Sequence, residues 1–301
     1  MSQDPQFQPW ALTLEGPNSL IYELAEALGF DEVMEALSVS IFESETRAAG
    51  DSPNSVLQAL YETKAGAAAA LTGLNMNDDI TSDIKQLPAT DWVSLSQQGL
   101  PPVSAGRFWV HGSHDTEIAP AGAKHKILID AGLAFGTGHH GTTKGCLIIF
   151  DTLLSEQFLP KTVLDLGTGA GTLAIAAAMS LPSSTDILAT DIDTDSVDVT
   201  LENARLNGVG NRMAISQADG FQSSIFEDRS FDLIFANILA GPLMNLAPDI
   251  SAALAPKGNV ILSGIIDEMA TKVTQTFEAE GLTVAPQPSI EGWTSLLAVK
   301  S

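Results

Sequence analysis

The run Val163-Leu164-Asp165-Leu166-Gly167-Thr168-Gly169-Ala170-Gly171-Thr172-Leu173-Ala174-Ile175 constrains the fold of this chain more than any other stretch. Its apolar start reads as a buried strand, its alternate glycines as a tight turn and its alanine-rich end as a helix. That order makes the first half of a βαβ unit, with the helix N-terminus aimed at whatever lies beyond the strand end. The glycines are expected to let the backbone turn sharply and approach a ligand closely. They do not say which ligand. The spacing is Gly-x-Gly-x-Gly-Thr, so the third glycine of the dinucleotide fingerprint falls on Thr172. An NAD-dependent oxidoreductase therefore stays open but fits imperfectly, as does a non-catalytic binding module that keeps the turn.

The surrounding rhythm supports one sheet built around this turn. Strand candidates at Thr162 to Leu166, Asp186 to Asp191, Arg212 to Gln217, Phe231 to Asn237 and Asn259 to Ser263 alternate with helical stretches, the pattern of a doubly wound, mostly parallel α/β sheet. Leu282 to Ala285 and Thr294 to Val299 read as a closing antiparallel hairpin, with no further strand-helix-strand unit before it. The whole is a seven-stranded, Rossmann-like sheet, whose ligand belongs at the carboxyl ends of its strands.

The first third has a different pattern. Trp10 to Leu14 reads as a strand, Asn18 to Leu28 as a helix stopped by Gly29, and Leu37 to Phe42 and Ser55 to Tyr61 as strands around a polar loop, Ser44 to Asn54. Thr63 to Leu71 is helical and Ile84 to Leu87 a last strand, which completes the β-α-β-β-α-β order of a ferredoxin-like α+β domain. Leu87-Pro88 and Leu100-Pro101-Pro102-Val103 bracket a linker. The expected organisation is a small domain over 1–87, a linker over 88–103 and a ligand-binding α/β domain over 104–301.

Charge narrows the partners. With 14 Lys+Arg against 37 Asp+Glu the net charge is -23, a surface that repels phosphate, and no basic run offsets it. Direct nucleic-acid binding is not expected, whereas a basic protein would be steered toward the chain. Residues 1–100 carry 3 basic and 15 acidic groups, a net of -12 and about half of the total. No run of 18 apolar residues and no basic-apolar leader is present, so a cytoplasmic location with no membrane contact is expected. Cys146 is the only cysteine, which excludes an internal disulfide and a cysteine-based metal site.

Two residues distant from the glycines decide the chemistry. Asp191 ends the second strand, 24 residues after Gly167, where a carboxylate can accept hydrogen bonds from both hydroxyls of a ribose. Asp193 is expected to cap the helix that follows. Asn237 ends the fourth strand, ahead of Ile238-Leu239-Ala240-Gly241-Pro242-Leu243. A neutral carbonyl there can accept from an amine and aim its lone pair, whereas a carboxylate would favour the unreactive ammonium. Methyl transfer to an amine is an in-line displacement that gains much of its rate from such positioning. A simple turn residue is the structural alternative.

Together these residues resemble a known family. The run Ala134-Phe135-Gly136-Thr137-Gly138-His139-His140-Gly141-Thr142-Thr143, the Asp165 to Gly171 loop, Asp191-Ile192-Asp193 and Asn237 to Leu243 are similar to the bacterial methyltransferases of ribosomal protein L11, as are Asp91-Trp92-Val93 and Gly106 to Gly112. The resemblance covers residues 88–301 closely and, before that, only the element order. It implies a class I methyltransferase that uses S-adenosylmethionine to methylate the α-amine and lysine ε-amines of that ribosomal protein, with the small domain recognising the substrate, and a monomer. By position the family's cofactor contacts fall on Thr143, Gly167, Asp191 and Asn237, with Asn237 also the catalytic residue. Asp219 is a further candidate for the adenine amino group. A methyltransferase of another protein or of a small molecule is the nearest alternative. The family usually has Thr and Pro where this chain has His139 and Gly141, and this glycine is expected to loosen a turn that proline would hold.

The remaining features read as structural. His111, His114, His139 and His140 lie in loops or at a helix start, and transfer from a sulfonium needs no Lewis acid, so no metal is expected. His140 could shuttle the amine proton. Cys146 reads as a buried small residue and Trp10, Trp92, Trp109 and Trp293 as core or contact residues. Glu23, Glu26, Glu32 and Glu35 read as a solvated helix face, and as the place to look for a basic substrate.

Overall fold

The computed structural model describes residues 8–30, 36, 38–47, 53–74, 76–77, 79–87, 102–113, 115, 118–129, 140–286 and 288–301. The chain divides into two compact units, residues 1–95 and 96–301. Most of the expected linker, with Trp92, lies outside the described residues, and Val103 already opens a strand.

The first unit runs β1 (Trp10–Pro17), α1 (Asn18–Phe30), β2 (Ser38–Arg47), β3 (Pro53–Tyr61), α2 (Lys64–Gly73) and β4 (Thr81–Gln86). Its antiparallel sheet has the order β2-β3-β1-β4, which is the ferredoxin-like arrangement. Alternation places Leu12 and Leu14 inside and leaves Thr13 and Glu15 half-buried, so one sheet face takes the apolar stripe of α1 (Ile21, Leu24, Leu28) and the small residues Ala67 and Ala70 of α2. Thr63 caps α2 by accepting from the Gly66 amide at 3.1 Å. Of the expected polar loop from Ser44 to Asn54, the described residues are strand: β2 continues to Arg47 and β3 starts at Pro53. There the Ser44 hydroxyl of β2 donates to the Glu15 carboxylate of β1.

The second unit begins with a small sheet, β5 (Val103–Ala105), β6 (Phe108–His111) and β7 (His125–Leu128), that periodicity in such short segments did not reveal. Helix α3 (His140–Ser155) follows. Stacking of Phe108 on Phe150 at 5.6 Å and the Arg107–Asp151 ion pair tie the small sheet to it. Then come β8 (Thr162–Leu166), α4 (Thr172–Ser180), β9 (Asp186–Asp191), α5 (Thr194–Leu206), β10 (Ala214–Gln217), β11 (Phe231–Asn237), α6 (Ala240–Asn245), α7 (Ala247–Ala253), β12 (Leu254–Ile266), α8 (Ala270–Ala279), β13 (Leu282–Pro286) and β14 (Trp293–Lys300).

The large sheet has the order β10-β9-β8-β11-β12-β14-β13, parallel from β10 to β12, with β14 antiparallel to both its neighbours. Successive residues of β8 and β11 enter opposite cores: Val163, Leu233 and Phe235 face α3 and α4, while Leu164, Leu166, Ile234 and Ala236 face α6 to α8. Burial on both faces explains why these strands read as unbroken apolar runs. Three expectations need correction. β10 starts at Ala214 because Arg212 instead caps the end of α4, donating to the Ala178 and Pro182 carbonyls at 3.1 and 2.8 Å. β12 is far longer than Asn259 to Ser263. A further strand-helix-strand unit does exist: α8 carries the chain from β12 to the outer β13, sealing the sheet with Val273 and Phe277. No described helix is long and apolar enough to cross a membrane.

Candidate active site

From β8 the chain winds outward through β9 to β10 and then returns to β11. The switch point therefore lies between β8 and β11, and the crevice there belongs to the ends of β9, β8, β11 and β12. Asp191, Gly167 and Asn237 stand at or just past three adjacent strand ends. With strands about 4.8 Å apart, Asp191 and Asn237 are separated by roughly 10 Å across the sheet.

The glycine loop is held from three sides. The Thr190 carbonyl accepts from Gly167 and Thr168 amides, both at 2.9 Å. Beneath the loop Asp165 is fully buried, and its Oδ2 accepts from the Thr168 hydroxyl at 2.7 Å and the Ala174 amide at 2.9 Å. Burial pushes this carboxyl up to about 6, against the pull of those two bonds, and the nearby Asp191 charge adds to the rise. From α5, the buried side chains of Thr200 and Asn203 donate to the Gly169 and Ala170 carbonyls at 2.7 and 2.8 Å. With its carbonyls turned into the protein, the loop directs amides the other way, as the bond from Gly169 N to Asp191 shows. Asp165, Thr200 and Asn203 are site residues that the glycine pattern alone does not mark. Asp165 was legible as an acid inside an apolar strand, but nothing in the α5 sequence marks a polar side chain that will be buried.

The glycines themselves serve packing. Gly167 has φ +70° and a Cβ there would lie 2.4 Å from Ile238 Cγ2, whereas at Gly171, φ +84°, a Cβ would lie 2.8 Å from Thr200 Cγ2. The tight turn expected of these glycines is present, and the side-chain positions at both are taken by the protein's own side chains.

Asp191 is half-buried, and burial raises its pKa although loop amides oppose the shift. Its Oδ2 accepts from Gly169 N at 2.8 Å and its Oδ1 from Asp193 N at 3.1 Å. Each oxygen keeps a second lone pair. Asp193 caps α5, accepting from the Asp195 amide at 3.0 Å and the Ser196 hydroxyl at 3.1 Å. Beyond Asp191 a cleft of about 320 Å³ is lined by Ile192, Gln217, Ala218, Asp219, Gln222 and Ser223. Ile192 is 55% exposed there, an apolar side chain beside a carboxylate, and so suited to one face of a planar ring. It had not been singled out from sequence.

Asn237 pairs in register with Ser263 of β12, is half-buried, and its side-chain amide makes no hydrogen bond among the described residues. The Ser263 hydroxyl donates to the Thr142 carbonyl at 3.2 Å and lies 3.0 Å from the Ser295 hydroxyl, which sets the first turn of α3, with buried Thr143, beside the Asn237 strand pair. A Cβ at Gly141 would sit 2.6 Å from the Ile290 carbonyl oxygen, and one at Gly145 would sit 2.1 Å from Ser295 Oγ. Gly141 is thus no loosened turn; it belongs to α3 and permits close approach to the sheet. Cys146 is buried on the same helix, where desolvation pushes its thiol up to about 12. His114, His139 and the side chain of His140 lie outside the described residues, as do the side chains at 23, 26, 32 and 35. His111 stacks on the buried Trp109 at 4.1 Å.

Comparison with known proteins agrees with this arrangement. A family model described as "Ribosomal protein L11 methyltransferase (PrmA)" matches residues 16–301. The ribosomal protein L11 methyltransferase of Rhodopseudomonas palustris is 48% identical over 256 residues, covering 84% of this chain and 82% of that protein. That of Bradyrhizobium diazoefficiens is 51% identical over 214 residues, 70% of this chain and 71% of that one. A crystal structure of the ribosomal protein L11 methylase from Lactobacillus delbrueckii subsp. bulgaricus superposes with a TM-score of 0.58 at 30% identity, over 66% of this chain and 99% of that one. With a class I methyltransferase sheet and a match over nearly its whole length, the chain belongs to the ribosomal protein L11 methyltransferase family.

Proposed function

We propose that this chain transfers methyl groups from S-adenosylmethionine to amino groups of ribosomal protein L11, the α-amine and lysine ε-amines, acting as a cytoplasmic monomer. One observation carries the chemistry: Asn237, a side-chain amide without a partner among the described residues, at the switch-point strand end beside the glycine loop. The residues present suit the cofactor. The second lone pairs of Asp191 can accept from ribose hydroxyls, the exposed face of Ile192 can cover adenine with Asp219 toward its amino group, and Gly167 and Thr143 would hold the methionine end. The bound cofactor supplies an electrophilic methyl carbon on a cationic sulfur. The Asn237 carbonyl accepts from the incoming amine and aims its lone pair, and being neutral it does not stabilise the ammonium. The ferredoxin-like unit, with about half of the acidic excess in its part of the chain, is assigned to holding the basic substrate.

The test is incubation with isotopically labelled S-adenosylmethionine and purified L11, followed by mass analysis of the modified sites, with Asn237→Ala as control. Label on L11 amines, lost in the variant while S-adenosylhomocysteine still binds, supports the reading. Label on a different protein or a small molecule, but none on L11, overturns the substrate while leaving the cofactor assignment in place.

A further inference from the structure

The last residue pair joining β8 to β11 is Leu166–Ala236. Just beyond it, at the base of the crevice, the Ile238 side chain that follows β11 packs against the loop that follows β8. Its Cγ2 lies where a Cβ on Gly167 would be only 2.4 Å away, so it rests directly on the first glycine of the loop. Its backbone has no room on the other side. A Cβ at Gly264, φ +79°, would stand 2.2 Å from the Ile238 carbonyl oxygen and 2.7 Å from its carbonyl carbon, at the irregularity where β12 and β14 slip register between Leu262 and Ile265. The residue after Asn237 is therefore wedged between the cofactor loop and a kink in β12. As a β-branched side chain it has few rotamers with which to yield.

We propose that Ile238 is a positioning residue for methyl transfer: its Cγ2 methyl sets the spacing between the glycine loop and Asn237, and through it the alignment of the amine with the transferred methyl group. The inference rests on the cofactor and amine assignments made above for this crevice. It predicts dependence on shape rather than on bulk. Valine keeps both γ carbons of isoleucine and hence the contact with Gly167; leucine keeps the volume but loses the β-branched methyl; alanine loses both.

The experiment compares Ile238→Val, Ile238→Leu and Ile238→Ala with the parent. The readouts are single-turnover transfer to L11, affinity and stoichiometry for S-adenosylhomocysteine by calorimetry, thermal midpoint, and the ¹⁵N-labelled side-chain amide signal of Asn237 without ligand. Since misplacement by about 1 Å costs on the order of a hundredfold in rate, transfer is expected to fall roughly 30- to 100-fold in the leucine and alanine variants and less than about threefold in the valine variant. S-adenosylhomocysteine affinity should fall far less than transfer, because the ribose and adenine contacts at Asp191 and Ile192 lie away from Ile238, and the Asn237 amide signal should move or broaden only in the leucine and alanine variants. Leucine performing as well as valine would overturn the proposal, because bulk packing would then suffice. So would a rate loss matched by lost binding sites or by a lowered thermal midpoint, or an Asn237 signal unchanged throughout. A parent enzyme that transfers no methyl group to any amine removes the functional reading itself, and this inference with it.

Discussion

Asp165 is buried to 1% exposure, with its pKa raised from 3.8 to about 6. At about 1.4 kcal/mol per pH unit, ionising it inside the fold costs ~3 kcal/mol relative to the unfolded chain. The sign follows from proton binding. Between 3.8 and 6 the native state holds the proton and the unfolded state has lost it, so stability falls as pH rises through that window and levels off above it. Asp165→Asn removes the charge but keeps an oxygen where Oδ2 now accepts from both Thr168 and Ala174. Its own cost, an amide group without a clear partner, is about 1–3 kcal/mol and does not depend on pH. The stability of the variant minus that of the parent should therefore rise by roughly 1.4 kcal/mol from pH 5 to pH 7.5. Urea unfolding of both proteins across that range measures it. A difference that is flat with pH, or that shrinks as pH rises, refutes the reasoning and returns Asp165 to an ordinary carboxylate.

The other expectations are smaller in scope. Gly145→Ala should lose about 1–3 kcal/mol by overpacking against Ser295, despite the better helix propensity of alanine, and Ser295→Ala in the same chain should recover part of it; strictly additive unfolding free energies would contradict the contact. Thr190→Val deletes a buried hydroxyl that has no partner among the described residues, so the thermal midpoint should rise, by about 1 kcal/mol in stability; a fall in midpoint would count against it. Asn203→Leu leaves the Ala170 carbonyl unpaired at a cost of about 1–3 kcal/mol and should weaken S-adenosylhomocysteine binding in calorimetry, an effect absent if the α5 clamp does not shape the loop. Because burial raises the Asp191 pKa and only the ionised form accepts from both hydroxyls, affinity for the same ligand should decline on acidification sooner than for an ordinary carboxylate, and Asp191→Asn should flatten that profile.

Much of this protein was written in local pattern. The strand-glycine-helix run, the strand rhythm after Thr162 and the β-α-β-β-α-β order determined both sheets, because each depends on residue alternation and turn chemistry within a few positions. Asp191 and Asn237 were legible for the same reason: a polar residue that ends an apolar strand of a parallel sheet must lie at its carboxyl edge. What touches those strand ends was not legible. The tight glycine turn was legible, but not that Ile238 and Thr200, 71 and 29 positions further along, pack where Gly167 and Gly171 would carry a Cβ. Gly141 looked like a slack turn and proved to be a close contact between a helix and Ile290. The short β5 to β7 strands lacked a periodic run long enough to declare themselves, and α8, although amphipathic through Val273 and Phe277, carries no local sign of where the strand after it will pair. Local pattern was enough for the main strands of both large sheets and for which of their ends meet, whereas the side chains that fill the crevice floor follow from non-local close packing, which leaves no period in the chain.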